Sequence, residues 1–327
     1  MPFFSVKIPP SYEGSTRLDK YIASLPNGMN RSKLKSGVCL ILVNGKKQKL
    51  SCKVKRGDQI DIEWEDNVPD NIEPEDIPLN IVYEDDNVCV VNKKQGMVTH
   101  PAAGNWSGTL VNALLFHWGR EKIEQCKDSS EAEILKRRRP GIVHRLDKDT
   151  SGIIITAKNR DAEEWLGNEF RNHKRMVKEY IAICFGRPQH QHGVVQTQIV
   201  RDMKNRRRFK AVIDTDEGKY AETAYKCIAC YGEYSLMRLR LATGRTHQIR
   251  VHMKYLNCPI LGDEIYTARK DVLFPNATLM LHAHRLSIRL PGQTKCTTFT
   301  AGTPKRFLEV LNVLHQKYPK TILSKDR

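Results

Sequence analysis

Apolar residues recur along the chain with two periods, one typical of helices and one typical of strands. Helical spacing puts Leu18, Ile22 and Leu25 on one face near the start, and residues 108–118 repeat this pattern. Elsewhere apolar and polar positions alternate, as in residues 237–241, which is typical of strands with one buried face. Segments of the two kinds are interspersed, so both helices and strands are expected in one chain.

The stretch 140–159 stands out because it places a dense polar turn beside a short apolar strand. The turn runs from His144 to Gly152, and the β-branched run Ile153–Ile155 after it indicates a buried strand. Four charged residues crowd into the turn: Arg145, Asp147, Lys148 and Asp149. Partial burial of such a cluster costs several kcal/mol unless the charges pair. A functional turn is therefore favoured over an ordinary solvated one, which stays the alternative.

The composition divides the chain into three parts. Residues 14–65 combine two short basic helices with a hairpin, which the Asn44-Gly45 pair closes. Residues 66–78 contain prolines and carboxylates without Lys or Arg, which indicates an extended linker. Residues 79–327 are long enough to bury a core of their own. Within them, the basic stretch 186–222 is predicted to be a loop.

The formal net charge of +17, with a pI near 9.5, favours a polyanionic partner, most commonly nucleic acid. General solubility or a membrane-surface patch is the alternative, although no basic amphipathic helix supports it. Nine irregularly spaced cysteines indicate reduced core thiols, and neither a signal peptide nor a membrane span is expected. We expect a soluble, cytoplasmic protein, and since nothing demands a dimer, a monomer.

A third dense motif, TGRTHQIRVHM, is predicted to be a helix that begins at Thr243 or Thr246. His247 and His252 diverge on such a helix, and no carboxylate falls at ligand spacing, so zinc is disfavoured. A P-loop and a GxGxxG fingerprint are also missing from the sequence. The sequence therefore does not favour nucleotide or metal chemistry.

The motifs together resemble a known family. HRLDKDTSG preceded by RPGIV, then KEYIA, then TGRTHQIRVHM with ILGDEIY and LHAHRLSI, are similar to the motifs of the RluA-type RNA pseudouridine synthases. The earlier segments RLDKYIASL, NRSKLKSG, VNGKK and VKRGDQIDI resemble an S4 RNA-binding domain. The elements and the resemblance predict an α+β protein. Its small α/β S4 domain would precede a large mixed, mainly antiparallel catalytic sheet flanked by helices and loops.

The resemblance implies isomerisation of uridine to pseudouridine in RNA, without a cofactor or a metal. It places Asp147 at the ribosyl centre, as nucleophile or as base, with Arg250 as its ion-pair partner. Tyr180 would stack on the flipped uracil and could take the C5 proton, and Arg145 would fill the space that the base vacates. Asp149 is the rival carboxylate, although it is better suited to fixing the turn.

The expected substrate is large-subunit ribosomal RNA, with transfer RNA as the second choice. RNA phosphates are expected to contact six basic residues of the first module: Arg17, Lys20, Arg31, Lys33, Lys35 and Lys46. Two other functions stay open at this point. One is a non-enzymatic RNA-binding assembly factor, and the other is an aspartyl phosphotransferase, which would require magnesium ligands that the motifs do not supply.

Overall fold

The structure is a computed structural model. It describes residues 3–25, 34, 38–64, 71–102, 105–120, 123–124, 141–172, 176–203, 205, 207–213, 215–267 and 271–321. The chain divides into two compact units, Met1–Asp70 and Asn71–Arg327. Within the described residues, none of the helices combines the length and apolar character that crossing a bilayer requires.

Among its described residues, the small unit contains six strands and one helix. In chain order they are β1 (Phe3–Lys7), β2 (Ser15–Arg17), α1 (Leu18–Ser24), β3 (Val38–Val43), β4 (Lys46–Lys47), β5 (Lys53–Lys55) and β6 (Gln59–Trp64). One sheet has the order β1-β6-β3-β4, and β2 pairs with β5. Strand β1 lies before residues 14–65, so the compact unit extends beyond the predicted module.

The core of the small unit forms where the two apolar periods meet. Leu18 and Ile22 of α1 are fully buried together with Ile60 and Ile62 of β6, as the alternation predicts. The hairpin is also confirmed, because Asn44 and Gly45 both have positive φ, which suits the twist of the flanking strands. Assignment of this unit to the S4 class stays a prediction.

The large unit is built on one extensive sheet. In chain order, the first strands of this unit are β7 (Asn71–Ile72), β8 (Ile81–Glu84), β9 (Val88–Lys93), β10 (Ile123–Glu124), β11 (Ser151–Ala157) and β12 (Val177–Phe185). The remaining strands are β13 (His192–Arg201), β14 (Phe209–Val212), β15 (Lys219–Tyr231), β16 (Tyr234–Leu241), β17 (Leu281–Arg289) and β18 (Cys296–Thr300). Its described helices are α2 (Leu110–His117), α3 (Arg160–Asn172), α4 (Gln248–Tyr255) and α5 (Lys305–Lys317).

Ten of these strands form a sheet with the order β14-β13-β15-β16-β12-β17-β11-β9-β8, and β18 pairs with β17. Among the described pairings of this sheet, only β11 with β17 is parallel. The predicted α+β class with a large, mainly antiparallel sheet is therefore confirmed.

The prediction of a basic loop over 186–222 is wrong. The segment forms β13, β14 and the start of β15 at one edge of the sheet, where β13 lies between the other two and pairs antiparallel with both. Only alternate residues of β13 are buried, including Val195, Thr197 and Ile199. The outward residues between them are polar or exposed, so the average polarity of the segment concealed its strand period.

Part of the predicted linker is attached to the large unit. Strand β7 pairs with β10, and the Glu75 carboxylate accepts hydrogen bonds from the Gly108 amide at 3.0 and 3.1 Å. The Glu75 amide in turn donates to the Asn112 carbonyl of α2 at 3.0 Å. Residues 65–70 lie outside the described part of the chain. Any freely extended segment is therefore shorter than 66–78.

Candidate active site

The turn that carries Asp147 is held by hydrogen bonds to its backbone. Lys93, at the end of β9, donates through its ammonium group to three carbonyl oxygens, including that of Lys148 at 3.1 Å. The Thr99 hydroxyl donates to the Leu146 carbonyl at 2.8 Å. These contacts fix the backbone on both sides of Asp147. A group attached to such a turn is held in place before substrate arrives, which favours catalysis.

Glycine is required where this turn enters β11. Gly152 has φ of 115°, and a Cβ added there would lie 2.2 Å from the Ala283 carbonyl oxygen of β17. The short parallel contact between β11 and β17 brings the two backbones this close. Only a residue without a side chain fits, so Gly152 determines where the turn sits relative to the sheet.

Arg250 of α4 lies between two carboxylates. Its Nη1 donates to Asp147 Oδ2 at 3.3 Å, while Nε and Nη2 donate to the two carboxylate oxygens of Asp263 at 2.8 Å each. The Asp263 carboxylate is fully buried, whereas that of Asp147 is 19% exposed. Asp263 therefore orients the guanidinium, and Asp147 is the carboxylate that solvent or substrate can reach.

The electrostatics of this group follow from its packing. Burial lowers the pKa of Arg250, but the hydrogen bonds and charge of Asp263, together with the charge of Asp147, raise it above its ordinary value. Asp263 Oδ1 also accepts from the amides of Ile265 and Tyr266 at 3.0 and 3.1 Å. A permanently cationic group is thus held beside Asp147 in a partly dry site.

Tyr180 presents its ring to the same site from β12. The residue is 8% exposed, and burial, followed by the charge of Asp147, raises the pKa of its phenol above the ordinary value. Tyr180 faces Leu239 and Ala283 across the neighbouring strands. A neutral phenol with its ring at the wall of a cleft can stack on a base and exchange a proton.

All four residues predicted to act in catalysis line one cleft of about 1480 Å³. They are Asp147, Tyr180, Arg250 and Arg145, and the exposed Arg145 lies at the edge of the turn. Pockets for small molecules usually measure about 300–1,000 Å³. The cleft therefore has room for a nucleotide and part of its surroundings.

Asp149 differs from Asp147 in its surroundings. The residue is exposed, and its backbone carbonyl accepts a hydrogen bond from Gln95 Nε2 at 2.9 Å. Of the two carboxylates, Asp147 is the one hydrogen-bonded to Arg250 among the described contacts. This geometry favours Asp147 over its rival.

His247 is a site residue whose position the sequence did not reveal. His247 occupies the N-cap of α4 with φ of 56°. The prediction that this helix begins at Thr243 or Thr246 is therefore wrong. His247 Nδ1 lies 2.9 Å from the Tyr266 hydroxyl, and its Nε2 lies 3.8 Å from Asp147 Oδ2. Burial lowers the pKa of His247 despite the charge of Asp147. The left-handed N-cap turns the imidazole toward the carboxylate.

Two more titratable groups line the cleft. His144 Nε2 accepts a hydrogen bond from the Ile155 amide at 3.0 Å, and the His144 ring stacks on Phe170. Burial lowers the pKa of His144 to about 3. His144 is therefore a neutral structural group. Burial, followed by the charge of Arg245, lowers the pKa of Lys178 to about 8. Lys178 shares its strand face with Tyr180, two residues away.

The predicted RNA-contacting residues of the small unit are described only in part. Lys20 and Lys46 are exposed, while the Arg17 guanidinium donates to Asp19 at 3.0 Å. The other three, Arg31, Lys33 and Lys35, lie outside the described residues. Of the six predicted residues, the described ones thus comprise two exposed lysines and one paired arginine.

Comparison with known proteins places the geometry in context. A sequence model described as RNA pseudouridylate synthase matches residues 87–255. The chain is 43% identical to ribosomal large subunit pseudouridine synthase D of Borreliella burgdorferi, over 92% of this chain and 90% of that protein. It is 38% identical to the protein of the same name from Zymomonas mobilis, over 88% and 90%.

Solved structures show the same similarity. The human protein RNA Pseudouridylate Synthase Domain Containing 4 matches with a TM-score of 0.55 and 25% identity, over 72% of this chain and 93% of that chain. RNA Pseudouridylate Synthase Domain Containing 1, also human, matches with a TM-score of 0.56 and 25% identity, over 76% and 91%. Sequence and fold therefore point to the same group of proteins.

Proposed function

The chain belongs to the RNA pseudouridylate synthase family. On this premise we propose that it converts uridines of large-subunit ribosomal RNA to pseudouridine, with Asp147 as the catalytic residue. Family membership confirms the resemblance that the three motifs carried, and with it the prediction of an RNA-isomerising enzyme. It does not favour a phosphotransferase or a binding protein without activity. The role of each residue is our proposal.

One observation supports this assignment most directly. Asp147, Tyr180 and Arg250 come from a turn, a strand and a helix that are far apart in the sequence, yet they line one cleft. Asp147 is the partly exposed carboxylate of the group, and Arg250 is hydrogen-bonded to it. A charged carboxylate, a fixed cation and a neutral aromatic phenol are the groups that the isomerisation requires.

The reaction breaks the bond between ribose C1′ and uracil N1 and forms a bond between C1′ and C5. Asp147 acts on the ribosyl centre, either as a nucleophile at C1′ or as a base, and Arg250 holds its carboxylate in place through a hydrogen bond. The base turns within the cleft, and C5 then bonds to C1′. If Asp147 has acted as the nucleophile, this step also breaks the bond between its carboxylate and C1′, which releases the carboxylate. The proton on C5 leaves while N1 gains one, so the sum of atoms is unchanged.

Tyr180 serves the base rather than the sugar. Its ring stacks on the uracil after the nucleotide leaves its helix, which costs a few kcal/mol. The phenol is neutral at the start because burial raises its pKa, so it can first donate its proton to N1 of the released uracil. The resulting phenolate then takes the proton from C5 late in the reaction, which restores the neutral phenol. Arg145, exposed beside the turn, fills the space that the base leaves in the RNA.

The substrate proposal rests on the names of the relatives and on charge. Two relatives with at least 38% identity are named as synthases of the ribosomal large subunit. The net charge of +17 suits a large, densely anionic RNA. We also propose that the chain works as a monomer in the cytoplasm. Sedimentation of the purified protein would test the oligomeric state, and fractionation of cells that express a tagged chain would test the location.

Pseudouridine mapping of total RNA tests the assignment. Cells lacking the native chain would express the wild-type protein, Asp147→Ala or Asp149→Ala, which remove one carboxylate each from the same turn. We expect large-subunit ribosomal RNA sites to disappear with Asp147→Ala and to persist with Asp149→Ala. If the sites lost with Asp147→Ala lay in transfer RNA alone, the proposal that ribosomal RNA is the substrate would be overturned. An unchanged map with Asp147→Ala would overturn the catalytic residue.

A further inference from the structure

A basic patch covers the side of the sheet that faces away from the cleft. Side chains on a strand alternate between the two faces, so Tyr180 of β12 faces the cleft and Glu179 faces the other side. Arg240 of β16 and Arg285 of β17 lie directly opposite Glu179 on either side. Arg238 follows on the same face of β16, with Lys226 of β15 directly opposite it.

We define these four residues as the outer basic face: Lys226, Arg238, Arg240 and Arg285. All four are exposed.

The outer basic face has more positive charge than its own carboxylates neutralise. Glu179 is a carboxylate that lies on the same face, between Arg240 and Arg285, and Arg238 pairs with it at 3.6 Å. The next carboxylate along the face of β15, Glu222, already accepts hydrogen bonds from the Tyr220 hydroxyl at 2.6 Å and from Gln196 at 2.9 Å. The face therefore keeps about three uncompensated positive charges within the described structure.

The arrangement of these charges has a cost in the free protein. Lys226 and Arg238 are direct cross-strand partners, and like charges in that position destabilise a sheet. Arg240 and Arg285 stand on the two sides of one glutamate instead of each having a carboxylate. Phosphate groups would relieve both features, because each can approach two cations across neighbouring strands.

We propose that the outer basic face is a second RNA-binding surface, which holds the phosphate backbone of a segment distant from the target uridine. The proposal rests on the function proposed above and extends it to the class of substrate. A short stem-loop that fills the cleft cannot also reach the opposite side of the sheet. A large folded RNA can contact both, so the surface favours ribosomal RNA over small hairpins.

Neutralising the surface tests the proposal. The triple variant Lys226→Gln/Arg240→Gln/Arg285→Gln removes three charges but leaves the pair of Arg238 with Glu179. The matched control Lys295→Gln/Lys317→Gln/Lys320→Gln removes three exposed charges elsewhere on the same unit. A third variant, Lys226→Arg/Arg240→Lys/Arg285→Lys, keeps the charge at the outer basic face. None of these residues lines the cleft.

Binding would be measured against salt with two probes, a full-length unmodified large-subunit ribosomal RNA transcript and a stem-loop excised around a modified uridine. For the long transcript, each lost phosphate contact reduces the slope of log Kd against log salt by about 0.7–0.9. We expect the neutralised variant to lose about 2 to 3 from the slope, and the control and charge-keeping variants to lose less than about 1. Single-turnover rates on the stem-loop should match wild type.

Equal slopes for the neutralised and control variants would overturn the proposal. So would an effect that occurs only on ribosomal particles and not on naked RNA, because the occupant would then be a protein. Failure of the proposed function looks different: wild-type protein would form no pseudouridine in either probe, while the slopes would still be measurable.

Discussion

Replacing each of the two carboxylates that contact Arg250 should have opposite consequences. Asp263→Asn removes one of the two acceptors for the Arg250 guanidinium in a fully buried position. Its new amide would also face the guanidinium or the amides of Ile265 and Tyr266, which are donors themselves. Breaking a buried ion pair from one side costs about 3–5 kcal/mol.

That loss should be visible in thermal stability. For a unit of this size, each kcal/mol shifts the unfolding temperature by about 2–4 °C, so we expect a drop of about 6–20 °C for Asp263→Asn. Asp147→Asn removes a single 3.3 Å contact from a carboxylate that is 19% exposed. Its effect on the free energy of unfolding should stay within about 1 kcal/mol.

Activity should show the reverse order. Asp147→Asn should form no detectable pseudouridine in a single-turnover assay, although it binds RNA and unfolds like wild type. Asp263→Asn, assayed below its lowered unfolding temperature, should retain slow turnover because Asp147 is still present beside a less fixed Arg250. Urea denaturation supplies the stability comparison. Equal destabilisation by the two variants, or activity in Asp147→Asn, would refute the division of roles.

Tyr180→Phe should keep the stacking ring but slow single-turnover product formation by about 10²–10⁴-fold, with RNA affinity unchanged; an unaffected rate would remove the phenol from proton transfer. Gly152→Ala should abolish activity and destabilise the large unit, because the added Cβ would lie 2.2 Å from a carbonyl oxygen. Gly167→Ala in α3 is the control, since the space around its Cβ is open, and it should stabilise the large unit by about 0.5–1 kcal/mol in urea denaturation. Burial lowers the pKa of Lys178 to about 8 in the folded protein. At pH values between about 8 and the higher pKa of the unfolded chain, the unfolded chain binds more protons than the folded one, so the free energy of unfolding rises with pH. The advantage of wild type over Lys178→Met should therefore grow by about 1.5 kcal/mol from pH 8 to 9.5, and a constant difference would show that the ammonium is not suppressed by burial.

Local elements were predictable because their signals are local. The Asn44-Gly45 turn follows from backbone preferences of two residues, and the helical stripe of Leu18 and Ile22 follows from spacing alone. The segment 186–222 was mispredicted because β13 buries only alternate side chains and the residues between them are polar or exposed. The N-cap of α4 was mispredicted because His247 adopts a left-handed conformation that its surroundings impose.

The site residues divide in the same way. The turn that carries Asp147 was singled out by its own dense polar pattern, whereas Tyr180 and Arg250 were predicted from motifs that resemble those of a known family. Asp263 lay within a recognised motif, but its contact with Arg250 depends on how the chain returns after α4. The contact of His247 with Tyr266 depends on the same return. Sequence spacing does not indicate which of several carboxylates will meet a given guanidinium.

The sequence by itself determined the strands and helices with clear periods, the family, and the residue types that the chemistry requires. Tertiary structure alone decided that Asp263 is the buried anchor while Asp147 stays accessible, because burial depends on what packs around a side chain. It also decided that Lys226, Arg238, Arg240 and Arg285 share one face. Strand register sets such neighbours, and register is established by pairing between segments that are distant in the chain.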